Sequence, residues 1–308
     1  MVAGILNVDK PLGWTSHDVV GLVRRLTGVR QVGHAGTLDP LATGVLLVGV
    51  GAATRLSDYL MGGRKCYAAR VRLGVRTSTD DAEGPVVETL PTDGVTRARV
   101  IDALAPFRGV ITQIPPAYAA IKKNGVPAYK LARRGEAPEM AARTVRIDAL
   151  AVTGLRDDTL DLLVWCGPGT YIRSLARDVG ERLGCGAHLA ALRRLSSGGF
   201  GVNTAVGVGE MRVLAAEGRL HERFWPLDTA VATWPALVVD GDAAAGIAHG
   251  MPVEGPAPTP VGETTADARL YGRAGGLLAL ARYDGARRAW QPRTVFAASS
   301  ESAAGRSR

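Results

Sequence analysis

KCYAARVRLGV, residues 65–75, places Tyr67, Ala69, Val71 and Leu73 on one side of a two-residue alternation and Arg70 and Arg72 on the other. Successive side chains of a strand point to opposite faces, so this stretch predicts a strand with one apolar face and one basic face. Upstream, the valine-rich run at residues 45–50 reads as a buried strand, and downstream LDLLVWC, residues 160–166, reads as another. Helical spacing flanks these strands. In TSHDVVGLVRRLTG, residues 15–28, Thr15 and Asp18 suit a capping box, Gly28 suits a stop, and Val19, Leu22, Val23 and Leu26 share one face. Ile172, Leu175, Ala176, Val179 and Leu183 mark a second helix, which Gly184 ends.

A chain of 308 residues is long enough for one large domain or two. Its charged fraction of 21% and hydrophobic fraction of 46% are those of a chain that folds by itself, not of a disordered one. The net charge of +8 favours a polyanionic partner, nucleic acid or an anionic membrane surface, because each cation near a phosphate releases condensed counterions. The longest uncharged run, residues 40–54, is glycine-rich and too short to span a bilayer. The first residues, MVAGILNVDKP, lack the basic start and long apolar core of a secretory signal, so the expected location is the cytoplasm. Cys66, Cys166 and Cys185 are odd in number and widely spaced, which argues against a disulfide framework. The five histidines show neither HExxH nor finger spacing, and no metal site is expected.

At residues 111–146 the pattern becomes irregular. The pair Pro115-Pro116 is followed by Lys122, Lys123, Lys130, Arg133, Arg134, Arg143 and Arg146, against only Glu136 and Glu139. This reads as a basic, protruding insertion, although a solvated charged surface is the plainer account of any such run. Composition shifts again near residue 230, and short strand-like pieces among glycines and prolines predict a small all-β unit over residues 231–296. The small, polar residues 297–308 are expected to form a disordered tail.

Candidate motifs are few. GVGAAT, residues 49–54, has the outline of a dinucleotide-binding turn, but Thr54 stands in place of the third glycine, so it reads as a strand-to-helix turn. Neither GxxxxGK[ST] nor GxSxG occurs. GHAGTLDPLATG, residues 33–44, packs a histidine, an aspartate and three glycines into a loop that feeds a strand. Asp39-Pro40 alone is a favourable turn dipeptide, yet loops also carry most catalytic groups. In GTYIRSLARD, residues 169–178, Arg173 falls in a helix's first turn, where a cation opposes the macrodipole and calls for a compensating anion. Asp39 is a plausible partner. Pairing is expected to depress its pKa and hold it ionised, as a nucleophile or proton acceptor requires; the alternative is an ordinary structural ion pair.

Six motifs in order, NVDKPLGWTSHDVV (7–20), GHAGTLDPLATGVL (33–46), KCYAARVRLG (65–74), PPAYAAIK (115–122), GTYIRSLARDVG (169–180) and LRRLSSGGF (192–200), resemble the TruB pseudouridine synthases. The similarity covers the first 230 residues, and the remainder resembles the small PUA-like RNA-binding domain of bacterial members. The resemblance implies an α+β fold: a mixed, largely antiparallel sheet flanked by helices, a central cleft, and a C-terminal all-β PUA-like domain. It implies a catalytic domain at 1–230 and isomerisation of the uridine at position 55 in the T-loop of tRNA, without cofactor, metal or obligatory protein partner, by a monomer. Asp39 matches the catalytic aspartate, Tyr67 the tyrosine that stacks on the flipped uridine, and Arg173 the arginine paired with the aspartate. Lys10, His34, Tyr171 and Leu192 fall where the family lines the uridine or RNA site. Lys122, Lys123, Lys130, Arg133 and Arg134 fall in its RNA-gripping insertion. Leu47 stands where a proline is common and Ala119 where serine is usual.

Three rival functions share these features. A guide-RNA-dependent synthase subunit would need partners, and a non-catalytic tRNA chaperone would use the same basic surfaces. An N-glycosidase would pair Asp39 with Asp80, Asp81 or Glu83 and release free uracil.

Overall fold

The computed structural model describes residues 3–119, 122–123, 126–132, 134, 139–257 and 266–296. The first half of the chain runs β1 (Gly4–Lys10), α1 (Ser16–Thr27), β2 (Val32–Ala35), β3 (Ala42–Val50), α2 (Ser57–Gly62), β4 (Lys65–Leu73), β5 (Val75–Thr77), β6 (Val86–Thr89), α3 (Arg97–Leu104) and β7 (Gly109–Gln113). It continues β8 (Lys122–Lys123), β9 (Val126–Pro127), α4 (Ala128–Ala132), β10 (Arg143–Arg156), β11 (Thr159–Cys166), α5 (Ile172–Leu183), β12 (Ala187–Ser197), β13 (Phe200–Gly201), β14 (Val206–Gly207), α6 (Val208–Ala216) and β15 (Phe224–Trp225). Among the described residues no helix is long and apolar enough to cross a membrane.

The caps read from sequence are present. Thr15 accepts from the Asp18 amide and Asp18 accepts from the Thr15 amide at 2.8 Å, which closes the capping box of α1, and Gly28 ends the helix at φ 68°. Gly184 ends α5 in the same left-handed conformation, at φ 82°. In β4, Tyr67, Ala69, Val71 and Leu73 are buried while Arg70 and Arg72 face out, paired to Asp161 and Asp158.

An eleven-stranded sheet has the order β14-β1-β3-β12-β4-β11-β10-β7, with β2 on β3, β13 on β12 and β15 on β1. Only the β1–β14 and β3–β12 pairs are parallel, so the sheet is mixed and largely antiparallel, as the resemblance implies. The second edge of β3 is divided. Residues 42–44 pair with β12 and residues 47–50 with β2, so the β2-to-β3 loop, residues 36–41, emerges where the sheet splits.

The basic insertion is shorter than expected. Arg143 pairs with Gln113 and Arg146 with Val110 in the β7–β10 ladder, so residues 111–113 and 143–146 belong to the sheet, and the excursion is residues 114–142. GVGAAT becomes the end of β3 and a 3-10 turn over Gly51–Leu56.

The C-terminal unit contains β16 (Ala236–Val239), α7 (Gly241–Ala248), β17 (Val253–Glu254), β18 (Asp267–Gly272), β19 (Leu277–Asp284) and β20 (Ala289–Val295), with sheet order β16-β18-β19-β20-β17. The short α7 packs on this sheet through Ile247. Along β19 the two faces diverge: Ala279 and Ala281 join the unit's own core, and Leu280 joins a cluster with Leu47, Leu56 and Leu60 of the first unit.

Candidate active site

Helix α5 starts with no side-chain cap of its own. Gln113, 1% exposed on β7, takes over: its Oε1 accepts from the Tyr171 amide at 2.8 Å and its Nε2 donates to the Tyr171 carbonyl at 3.0 Å. This fixes the first turn and therefore Arg173, which is 4% exposed. The guanidinium makes ion pairs with Asp39 Oδ2 at 3.1 Å through Nε and with Asp81 Oδ2 at 3.3 Å through Nη1. It also donates to the carbonyls of Thr79 at 3.3 Å and Tyr118 at 3.0 Å. The compensating anion anticipated for Arg173 is thus two carboxylates. Asp81 is held by its own turn, where Oδ1 accepts from the Thr79 hydroxyl and, at 3.0 Å, from the Glu83 amide.

Asp39 sits in the loop over the sheet split. Ser16, at the start of α1, accepts from the Leu38 amide at 2.9 Å and donates to the Leu38 carbonyl at 3.1 Å. Lys10 holds the same loop from beneath. Its side chain is fully buried, and Nζ donates to the carbonyls of Pro11 at 3.0 Å, Trp14 at 2.5 Å and Pro40 at 3.4 Å. Lys10, expected at the substrate site, thus spends its donors on backbone and supports the Asp39 turn. Burial pushes its pKa down to about 8, against the pull of Asp39.

The carboxyl of Asp39 keeps 37% of its surface open to the cleft. Its pKa nonetheless lies above the ordinary carboxylate value, first because of desolvation at the cleft floor and further because Asp81 is close; Arg173 and Lys10 oppose the rise. The expected depression by Arg173 is therefore overturned. One cation shared between two carboxylates does not outweigh desolvation.

Tyr67 on β4 is 8% exposed and belongs to the main apolar core while bordering the cleft, a position with which the stacking expectation is compatible. Burial raises the pKa of its phenol, which keeps the proton on at neutral pH. Tyr67, Asp39, Arg173, Tyr171 and Leu192 line one cavity of about 410 Å³. The Tyr171 ring lies 5.7 Å from the Arg143 guanidinium. His34 is not in this wall. It lies on β2 with its ring 5.4 Å from that of His17, and its buried Nδ1 has no hydrogen-bond partner among the described residues. Of the insertion's cations, Arg134 is exposed in a turn, while Arg133 and the side chains of Lys122, Lys123 and Lys130 lie outside the described residues. Residues 297–308 lie outside them too.

Sequence reasoning missed Arg194. It is 1% exposed on β12, lines the cavity beside Tyr67, and donates to Val45 O and, at 3.0 Å, to Gly36 O, tying the Asp39 loop to the sheet. Alternation along LRRLSS was the available signal, since it separates an inward Arg194 from an outward Arg193 paired to Asp9. Asp81 was weighed only as part of a glycosidase pair. Among the described residues no three His, Cys, Asp or Glu side chains gather as metal ligands would.

The comparisons with known proteins agree with this geometry. Residues 24–172 match the family model described as TruB family pseudouridylate synthase (N terminal domain), and residues 173–232 match tRNA pseudouridylate synthase B C-terminal domain. Similar curated proteins include tRNA pseudouridine synthase B of Thermobifida fusca (strain YX), 46% identical over 97% of this chain and 100% of that protein. That of Mycobacterium sp. (strain KMS) is 53% identical over 70% of this chain and 73% of its own length. Among solved structures, a Cbf5-Nop10-Gar1 complex matches with TM-score 0.74 and 26% identity, covering 96% of this chain and 85% of the other. An H/ACA RNP bound to a substrate RNA containing 2'-deoxyuridine matches with TM-score 0.72 and 25% identity, covering 96% and 86%. The chain belongs to the TruB family of pseudouridylate synthases, a family of isomerases.

Proposed function

We propose that this chain converts the uridine at position 55 in the T-loop of tRNA to pseudouridine, with Asp39 as the essential carboxylate. The observation that carries the reading is a single carboxylate, partly open to a nucleotide-sized cleft and oriented by a buried arginine, with a tyrosine ring in the same wall. A uridine in a folded loop cannot turn over in place, so it must first be extruded, at roughly a few kcal/mol. Stacking on Tyr67 and contacts from Tyr171 and Leu192 offset that cost. With Asp39 engaged at the sugar or the base, the bond from ribose C1' to uracil N1 breaks, the ring turns, and a bond from C1' to C5 forms. The C5 proton is lost and N1 takes one up, so atoms balance with no redox step. The basic insertion, including Arg134, and the PUA-like unit at 231–296 hold the phosphates of the stem. The enzyme acts as a monomer in the cytoplasm.

The test is nucleotide-resolved mapping of an unmodified tRNA transcript incubated with the purified protein alone. Pseudouridine at position 55 only is the expected result. Tight binding with no pseudouridine anywhere would overturn the reading in favour of a guide-dependent subunit or a chaperone, and free uracil would mark a glycosidase.

A further inference from the structure

Arg194 stands directly opposite Tyr67 in the antiparallel β12–β4 pair, and both side chains line the cleft. It is among the largest fully buried side chains, yet among the described residues no carboxylate lies within ion-pair distance of it. Other arginines of the site differ: Arg173 has Asp39 and Asp81, and Arg193 has Asp9. Arg194 Nε and Nη2 donate to the carbonyls of Val45 and Gly36, which carry partial charge only. Its titratable neighbours Lys10, Lys65 and His34 have their pKa values lowered, first by burial and further by the Arg194 charge. A buried charge without a counter-charge is costly, and such charges gather where chemistry needs them. On Tyr67, burial raises the pKa of the phenol. Arg194 pulls it back through its charge and a hydrogen bond to the hydroxyl, against Cys166 and Asp39, which push it up.

We propose that Arg194 is a positioning residue for the reaction: its unbalanced charge steadies Tyr67 as a transient phenolate, so that this one hydroxyl carries the proton from C5 to N1. The proposal rests on reading the cleft as the uridine site. Turning uracil about its N3–C6 axis puts C5 where N1 stood, and a single group at that spot meets both atoms in turn. When the C1'–N1 bond breaks, its electron pair stays on N1, which takes the Tyr67 proton and leaves a phenolate against Arg194. After the turn, the C5–C6 π pair forms the bond to C1', and the phenolate takes the C5 proton. Tyr67 is then a phenol again, and no oxidant or solvent proton has entered. A guanidinium already neutralised by a carboxylate would do little for the phenolate. Arg194 has its full charge to offer.

The test places a difluorotyrosine, a stronger acid than tyrosine, at position 67 and follows its ionisation by fluorine NMR in the full chain without RNA. Arg194→Gln removes the charge and is expected to raise the pKa of the fluorophenol by about one unit or more. Arg194→Lys keeps the charge but not the planar fork, and should restore most of that shift. In single-turnover assays on an unmodified T-stem-loop RNA, Arg194→Gln with the natural tyrosine should slow product formation about 100-fold, with Kd held within a few-fold. The more acidic difluorotyrosine should then recover about ten-fold of the loss. A purely structural tie between Arg194 and the Asp39 loop predicts no such rescue. An unmoved fluorophenol, or an Arg194→Gln variant that the difluorotyrosine does not speed up, overturns the proposal. Should Arg194→Gln fail to fold, Arg194→Lys decides: a rate within about ten-fold of the unaltered protein supports the charge, and a larger fall overturns it. Product on the unaltered protein is read separately. Its absence beside a fluorophenol that answers to Arg194 would sink the uridine-site reading and leave the charge pairing standing, and product with an unresponsive fluorophenol would do the reverse.

Discussion

As the carboxylate proposed to carry the chemistry, Asp39 comes at a cost to folding that its environment makes explicit. Its pKa is raised in the folded protein, so protonation favours the fold: the associated stability is present below the ordinary carboxylate pKa and is lost as pH rises through the raised one. Asn at this position stays neutral at every pH. Asp39→Asn is therefore expected to lose activity by roughly 10⁴-fold or more while its Tm at pH 7 equals or exceeds that of the unaltered protein, and its Kd for tRNA holds within a few-fold. Product assays, thermal melts and filter binding check the three parts, and a Tm fall of several degrees would contradict the desolvation argument. Asp81 gives a sharper test. Removing its charge relieves repulsion on Asp39 and leaves it the whole of Arg173, so the acid limb of kcat/KM in Asp81→Asn should move to lower pH even as kcat falls about ten-fold from looser placement of the guanidinium. An acid limb that stays in place would show the two carboxylates to be uncoupled. Neither the sharing of Arg173 nor the direction of the Asp39 shift could be read from sequence, because both depend on how two loops some forty residues apart close over one helix end.

Strands and helices were far more legible than those couplings. The two-residue alternation of β4 and the caps of α1 and α5 are local signals, and the fold uses each as written. The insertion's edges were misjudged because the pattern turns irregular at Ile111 and because Arg143 and Arg146 look like surface residues, yet long-range pairing places all three in the sheet. Gly44 is a place where local and long-range demands meet. At φ +97° it occupies a conformation that L side chains rarely adopt, and a Cβ there would lie 2.2 Å from the Arg194 carbonyl across the parallel β3–β12 pair. Gly44→Ala must therefore push β12 away and carry Arg194 off the Gly36 carbonyl that orders the Asp39 loop. The expected outcome is a loss of about 2 kcal/mol or more by urea unfolding, together with a kcat defect out of proportion to it. Stability lost with kcat unchanged would mean that the loop does not depend on this crossing.

At the scale of the molecule the C-terminal unit is packed against the first, not merely tethered to it. Leu280 is fully buried in a cluster with Leu47 and Leu56, the Tyr59 and Trp234 rings meet edge to face at 5.3 Å, and Tyr59 reaches Thr294 at 3.3 Å. Leu47, which stands where the family resemblance led one to look for proline, is thus part of the apolar floor on which the second unit rests. The neighbours of Leu280 along β19, Ala279 and Ala281, pack the unit's own core, so truncating Leu280 removes contacts between units and spares those within. A buried leucine cut to alanine costs about 2–5 kcal/mol when the cavity cannot collapse. Charged to an interface, that loss lets the units open while each stays folded. Leu280→Ala is accordingly expected to show faster proteolytic cleavage near residues 233–235 and an earlier first melting step, with pseudouridine formation at saturating RNA nearly unchanged and Kd for full-length tRNA raised several-fold. A single cooperative melt lowered as a whole would instead mean that the two units form one folding unit, and that the geometry of the RNA surface is set by the same core that sets the cleft.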